Sequence, residues 1–328
     1  MRLTIATCRL TGLRFGACVV LTLLSLTISL AAFAAGEAAP QWQVLAQQAR
    51  ELRRSGQYDR GVIVAQQAVD LAEQALGPDH PDVATNLNIL GLLYVAEAKY
   101  AQAEPLYKRA LAIREKAFGP DSRDVGDCLN NLGELYHYER QYAQAGPYYE
   151  RALKIMEKTR AAGDPVLATG INNLADLYQE EGQFAQAEPL YERSLAIFEK
   201  TLGPDDPRVA GSLSNLAQLY KAEGQYAKAE PLLLRSVAIS EKALGPDHPD
   251  LALSLNNLAG VYFREGRYAD AEPLLKRSLA IREKALGQNH PDVAQSLNNL
   301  AKLYRATGRD PEAEELEKRL AAISGTRH

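Results

Sequence analysis

Cysteine is nearly missing from this chain: 328 residues hold only Cys8, Cys18 and Cys128. The first two fall in the opening segment, so the rest carries a single thiol and has no internal disulfide framework. Cys128 lies among helical positions with no metal-ligand spacing around it and reads as a small buried apolar residue. Large aromatics are scarce too, with one Trp and six Phe against sixteen Tyr. Ala and Leu supply most of the apolar content, which suits closely packed helices. Positive charge is not in excess: 37 Lys and Arg face 41 Asp and Glu, for a net charge of −4. These charges are interspersed with no basic stripe, which argues against a nucleic-acid partner. Catalytic signatures are absent as well. There is no glycine-rich phosphate loop, no serine in a nucleophile elbow, and no histidine pair at zinc spacing on one helix. The expectation is therefore a protein that is not an enzyme and has no cofactor and no metal.

Only one long apolar run is present. Arg2, Arg9 and Arg14 precede a stretch from Phe15 to Ala34, and no acidic residue comes before Glu37. The run closes in Ala32-Phe33-Ala34, the small-residue pattern of a cleavage site. Residues 1–34 are expected to be a signal peptide cleaved near Ala34, placing the mature chain in the periplasm or outside the cell. The alternative is an anchor in the inner membrane formed by residues 15–34, since about 20 apolar residues can span a bilayer. Cleavage would remove three arginines and no acid, taking the net charge from −4 to −7.

What the sequence has in abundance is itself. Gly77-Pro78-Asp79-His80-Pro81-Asp82-Val83-Ala84 returns at Gly119 to Gly126, Gly203 to Ala210, Gly245 to Ala252 and Gly287 to Ala294. Each copy is 42 residues, or a multiple of 42, from the others, and a degenerate copy fills Ala161 to Ala168. Columns keep the same register: Tyr94, Tyr136, Tyr178, Tyr220, Tyr262 and Tyr304; Arg109, Arg151, Arg193, Arg235, Arg277 and Arg319. His80, His248 and His290 belong to this repeat and not to an active site. Inside a unit, Leu255, Leu258, Ala259 and Tyr262 mark one helical face, Gly266 breaks the helix, and a second helix runs to Leu286. Asp82, Asp250 and Asp292 are placed to cap the first helices. Neither helix can bury its apolar face alone, so the core forms between stacked units.

Leu-Asn-Asn-Leu-Ala, Ala-Glu-Pro-Leu and Gly-Pro-Asp-His-Pro-Asp resemble the tetratricopeptide repeat (TPR), in the 42-residue form of kinesin light chains. The resemblance implies an all-α, right-handed superhelical solenoid of about seven antiparallel helix pairs. It also implies capture of a protein or peptide partner in the concave groove, as an exported adaptor or scaffold. The leader argues against a motor role. A linker at 35–40 would lead into a solenoid spanning 41–323, with units at about 41–76, 82–118, 124–160, 166–202, 208–244, 250–286 and 292–323, and a tail at 324–328. Two other roles stay open: a self-assembling structural solenoid, and a regulatory subunit of a partner enzyme.

Family geometry places the first helix of each pair on the groove. The column Asn88, Asn130, Asn172, Ser214, Asn256 and Asn298 is assigned to the groove, and the adjacent Asn131, Asn173, Asn215, Asn257 and Asn299 to bonds between helices. An Asn amide can both donate to and accept from an extended backbone. Five such bonds would supply only about 5 kcal/mol, short of the about 8 kcal/mol of micromolar binding. Selectivity must come from the side chains that vary along the same face: Leu92, then Glu134 and His137, Asp176, Gln218 and Lys221, Phe263, and finally Lys302 and Arg305. The expected groove is acidic in the middle and basic at its ends. A solvated face whose charges simply drifted is the competing reading.

Overall fold

The computed structural model describes residues 39–325. The expected leader lies outside them, as do most of the linker and tail. The described residues form fourteen helices and no strand. First helices are α1 (Gln41–Arg54), α3 (Pro81–Ala96), α5 (Arg123–Tyr138), α7 (Pro165–Glu180), α9 (Pro207–Ala222), α11 (Pro249–Arg264) and α13 (Pro291–Ala306). Second helices are α2 (Tyr58–Leu76), α4 (Tyr100–Phe118), α6 (Tyr142–Thr159), α8 (Phe184–Leu202), α10 (Tyr226–Leu244), α12 (Tyr268–Leu286) and α14 (Asp310–Gly325). The chain is an all-α solenoid of seven helix pairs. No described helix is long and apolar enough to cross a membrane.

Local chemistry starts and stops each helix. The aspartates expected as caps sit one step inside the helix, in its first turn, where they complement the dipole. The caps are the repeated histidines: Nδ1 of His80, His248 and His290 accepts the backbone N–H two residues on, each at 3.2 Å. Asp164 and Asp206 do the same through carboxylates at 2.8 and 2.9 Å. Pro follows the cap at N1, where its missing N–H costs nothing. Most second helices end on a glycine at φ between 83° and 90°, a backbone region that a Cβ disfavours.

Packing follows a size exchange between the two helices of a unit. In the second and third units, Gly91 and Gly133 receive the rings of Tyr107 and Tyr149. A Cβ on either glycine would lie 2.4 or 2.6 Å from a ring carbon. In the fifth and sixth units the same places hold Ala217 with Leu233 and Ala259 with Leu275, all buried. A larger ring on one helix is matched by a smaller residue on its neighbour, as close packing requires.

The outer, second-helix side carries an ion-pair ladder. Arg109, Arg151, Arg193 and Arg277 reach Glu73, Glu115, Glu157 and Glu241 of the preceding unit at 2.5–2.7 Å. Arg235 with Glu199 and Arg319 with Glu283 continue it. Exposed pairs contribute about 0–1 kcal/mol each, so burial between units stabilises the stack and the ladder chiefly fixes its register.

Candidate functional site

The first helices stand side by side on the inner face, and their asparagines form its seam. Asn173 donates to Asn130 at 3.2 Å, Asn215 to Asn172 at 3.2 Å, and Asn299 to Asn256 at 2.8 Å. The later column bonds between helices as expected, and its partner is the other column: Asn173, Asn215 and Asn299 each meet the earlier Asn of the preceding unit. Adjacent helical positions point about 100° apart, toward the two neighbouring helices. Asn298 sits on α13, and among the described residues no further first helix follows to donate to it. Asn88 donates instead to the Cys128 thiol at 3.5 Å, and its own carbonyl oxygen is buried without a partner.

Ser214 is a second correction. Its hydroxyl is buried and hydrogen-bonded to Ser236 at 2.9 Å, so it belongs to the core rather than the groove. Gln218 fills the gap left in the seam by donating to Asn257 at 2.8 Å. Leu92 also turns inward, packing against the core of the second to fourth units.

The acidic middle is held by tyrosine hydroxyls. Tyr191 reaches through from α8 and donates to Asp176 Oδ1 at 2.5 Å, while Asn172 donates to Oδ2 at 3.0 Å. Burial pushes the Asp176 carboxyl up to about 6. Glu134 is also raised by burial and accepts from Tyr138 at 3.1 Å. His137 lies edge-on to Tyr142, its centroid 5.5 Å away, and burial pulls its pKa below the usual histidine range, leaving a neutral ring at pH 7. These carboxylates are occupied internally and do not stand as free charges in the groove.

The basic end differs from the expectation in one residue. Arg305 is committed to the final helix, pairing with Asp310 at 2.9 Å and Glu317 at 2.8 Å. Such a pairing is invisible to the repeat pattern because α14 departs from it. Lys302 remains on the inner face. With Gln218, Lys221, Asn256 and Phe263 it lines a cavity of about 550 Å³ spanning α9, α11 and α13. Sequence reasoning missed Arg264 and Gln295 in this lining. The signal was Gly260, whose column holds a side chain in every other unit from the second on (Leu92, Glu134, Asp176, Gln218 and Lys302). Among the described residues no cluster of His, Cys, Asp and Glu is arranged to hold a metal ion.

Comparison with known proteins agrees with this architecture. The chain is similar to nephrocystin-3 of Xenopus tropicalis, 41% identical over 61 residues, and to that of Homo sapiens, 39% identical over the same length. The match covers 19% of this chain and spans only 5% of either relative. Among solved structures, BtubC (BKLC) from P. vanneervenii superposes with a TM-score of 0.60 at 27% identity, covering 70% of this chain and 92% of that one. A putative kinesin light chain of Podosopora anserina with TPR-like repeats gives 0.52 at 34% identity, covering 61% and 95%. The sequence profile of the tetratricopeptide repeat matches residues 44–116, 87–158, 166–242, 208–284 and 250–324. The chain therefore belongs to the tetratricopeptide repeat family, in the kinesin light chain-like form with a 42-residue period.

Proposed function

We propose that this protein is a non-catalytic adaptor, exported behind residues 1–34, that holds a segment of a protein partner against the inner face of its first helices. The observation that carries this reading is the contrast between faces. The outer ladder repeats one Arg–Glu pair unit after unit. Beyond its asparagine seam the inner face changes its side chains from unit to unit and opens a cavity of about 550 Å³ across three of them. A solenoid fold alone does not give function, but a variable face over an invariant frame is the arrangement that selects a partner. A cavity of this size falls in the range of ligand sites.

The test is site-specific photocrosslinking in extract of the source cells. A crosslinker at Phe263 should capture a partner, while one at Lys276 on the outer side should not. Equal capture at both positions, or adducts only between copies of this chain, would move the function to the outer face or to self-assembly. Export is tested separately: the mature protein from the envelope fraction should begin just after Ala34, and an intact amino terminus there would favour anchoring.

A further inference from the structure

Lys221 on α9 is the one lysine among the described residues that is not exposed. It lines the hollow that spans α9, α11 and α13, and a Cβ added at Gly260 would lie 3.9 Å from its Nζ. No carboxylate of the described residues stands at ion-pair distance from it, and none lines the hollow. Other lysines are exposed and many hold an acid: Lys242, Lys276 and Lys284 reach Asp205, Glu272 and Asp247 at 2.5–2.7 Å. The repeat does not call for a lysine here, since the same column holds Val95, His137, Gln179, Phe263 and Arg305 in other units. A half-buried amine with no counter-charge is a departure from the chain's own habit.

The surroundings act on this amine in one direction. Burial, and after it the nearby Arg264 charge, hold its pKa below the ordinary lysine range. Desolvation beside a second cation is the arrangement that turns a lysine into a nucleophile, because only the neutral amine has a lone pair to give. Arg264 and Lys302 line the same hollow of about 550 Å³. Asn256 and Asn257 accept from Asn299 and Gln218 through their carbonyl oxygens, at 2.8 Å each, which leaves their amide N–H groups as donors. An adduct that is neutral or cationic, such as an imine, would gain nothing from these neighbours. An anionic adduct would gain from all of them.

We propose that Lys221 is a carbamylation site: its amine adds reversibly to carbon dioxide, and the Arg264 and Lys302 charges hold the resulting carbamate. The lone pair of neutral Nζ forms a bond to the carbon of carbon dioxide as one C–O π pair moves onto oxygen. Nζ then releases a proton to water. Amine and carbon dioxide thus become an N-carboxylate and a proton, with no oxidant, reductant or cofactor. The side chain changes from cation to anion, so three like charges become one anion between two cations. The proposal does not depend on a partner lying in the groove.

The experiment equilibrates the full chain with isotope-labelled bicarbonate at pH 8, traps carbamates with a trialkyloxonium salt and locates the label by peptide mass spectrometry. Label at Lys221 is expected to exceed that at the exposed Lys200 by at least about tenfold. Arg264→Gln and Lys302→Gln should each reduce it several-fold, and Lys221→Arg should remove it. Gly260→Glu is the decisive variant, because a carboxylate set beside Nζ holds the ammonium form and repels the carbamate. It should remove the label while helicity is unchanged. Even labelling of Lys221 and Lys200, or label at Lys221 that Gly260→Glu leaves undiminished, overturns the proposal. Selective reductive alkylation of Lys221 by formaldehyde with no carbamate overturns it as well, since the amine would then be reactive toward a different electrophile.

Discussion

The second to fourth units and the fifth to seventh solve the same packing problem with different residues, and the groove inherits the difference. In the earlier group Tyr107, Tyr149 and Tyr191 fill the space between helices, and those of the second and third units need Gly91 and Gly133 opposite them. The Tyr191 hydroxyl emerges on the inner side, where it gives a buried carboxylate a donor. In the later group Leu233 and Leu275 pack on alanines and bring no hydroxyl inward. There the inner face holds cations instead of acids. A choice made in the core thus decides which charges the inner face can carry.

The sharpest way to break this comparison is to exchange one packing pair. Tyr149→Leu alone should leave a void opposite Gly133 and cost about 2–3 kcal/mol. Gly133→Ala alone drives a methyl group into a fully buried ring, a cost of about 1–3 kcal/mol that helix propensity partly offsets. The double variant copies Ala217 with Leu233, so it should recover more than half of the summed loss. Because repeat proteins open unit by unit, hydrogen exchange of α5 and α6 amides is the measurement, alongside thermal melting. Simple additivity of the two losses would mean that the pairs are not the unit of design.

A second test reads the acidic half through pH. The folded-state pKa of Asp176 is raised to about 6 from 3.8. The folded chain therefore binds this proton more tightly than the unfolded chain does. The stability that the proton contributes is present at low pH and is lost as pH rises from about 4 through 6. Above that, the ionised, half-buried carboxylate carries a penalty of at most about 3 kcal/mol. Asp176→Asn should relieve part of it, about 1 kcal/mol at pH 8, because its amide turns a donor toward Asn172. The gain should shrink as pH falls toward 4. Melting both proteins from pH 4.5 to 8 checks this, and a constant offset would show that charge is not the cause.

Much of this was legible in the chain alone. A 42-residue period fixes seven helix pairs, because every unit must bury its apolar face on the next one. The later asparagine column was expected to bond between helices, and Asn173, Asn215 and Asn299 do so. Three things did not follow from position in a column. The register could not show that Tyr191 reaches Asp176 from the second helix, since nothing in the spacing gives the depth of a ring. The histidine caps were hidden behind aspartates that look like better acceptors. Arg305 lost its place in the groove to Glu317, which lies on a helix that leaves the repeat. One signal stood in plain sight: Gly91 and Gly133 each have Tyr sixteen residues on, while Ala217 and Ala259 at the same position have Leu, and Ala175 with Tyr191 stands between the two patterns.

The smallest expected effect lies in the turns, and it sets the second and third units, those with the Gly–Tyr pairs, apart from the rest. After α7, α9, α11 and α13 the turn between paired helices is made by Gly182, Gly224, Gly266 and Gly308 at φ between 72° and 76°. After α3 and α5 the same left-handed position is held by Ala98 at 55° and Arg140 at 57°. A Cβ in this region costs about 1–2 kcal/mol, while glycine's greater freedom in the unfolded chain returns about 0.5–1 kcal/mol of that. Ala98→Gly and Arg140→Gly should therefore each stabilise by about 0.5 kcal/mol, and Gly224→Ala should destabilise by a similar amount. Arg140 makes the clearer case, because its side chain has no ion-pair partner among the described residues and only its backbone N–H is engaged, donating to His137. If neither glycine variant raises the melting temperature, the second and third units have already relaxed their turns to fit a side chain. The peculiarity of these two units would then extend from the Gly–Tyr pairs of the core to the backbone itself.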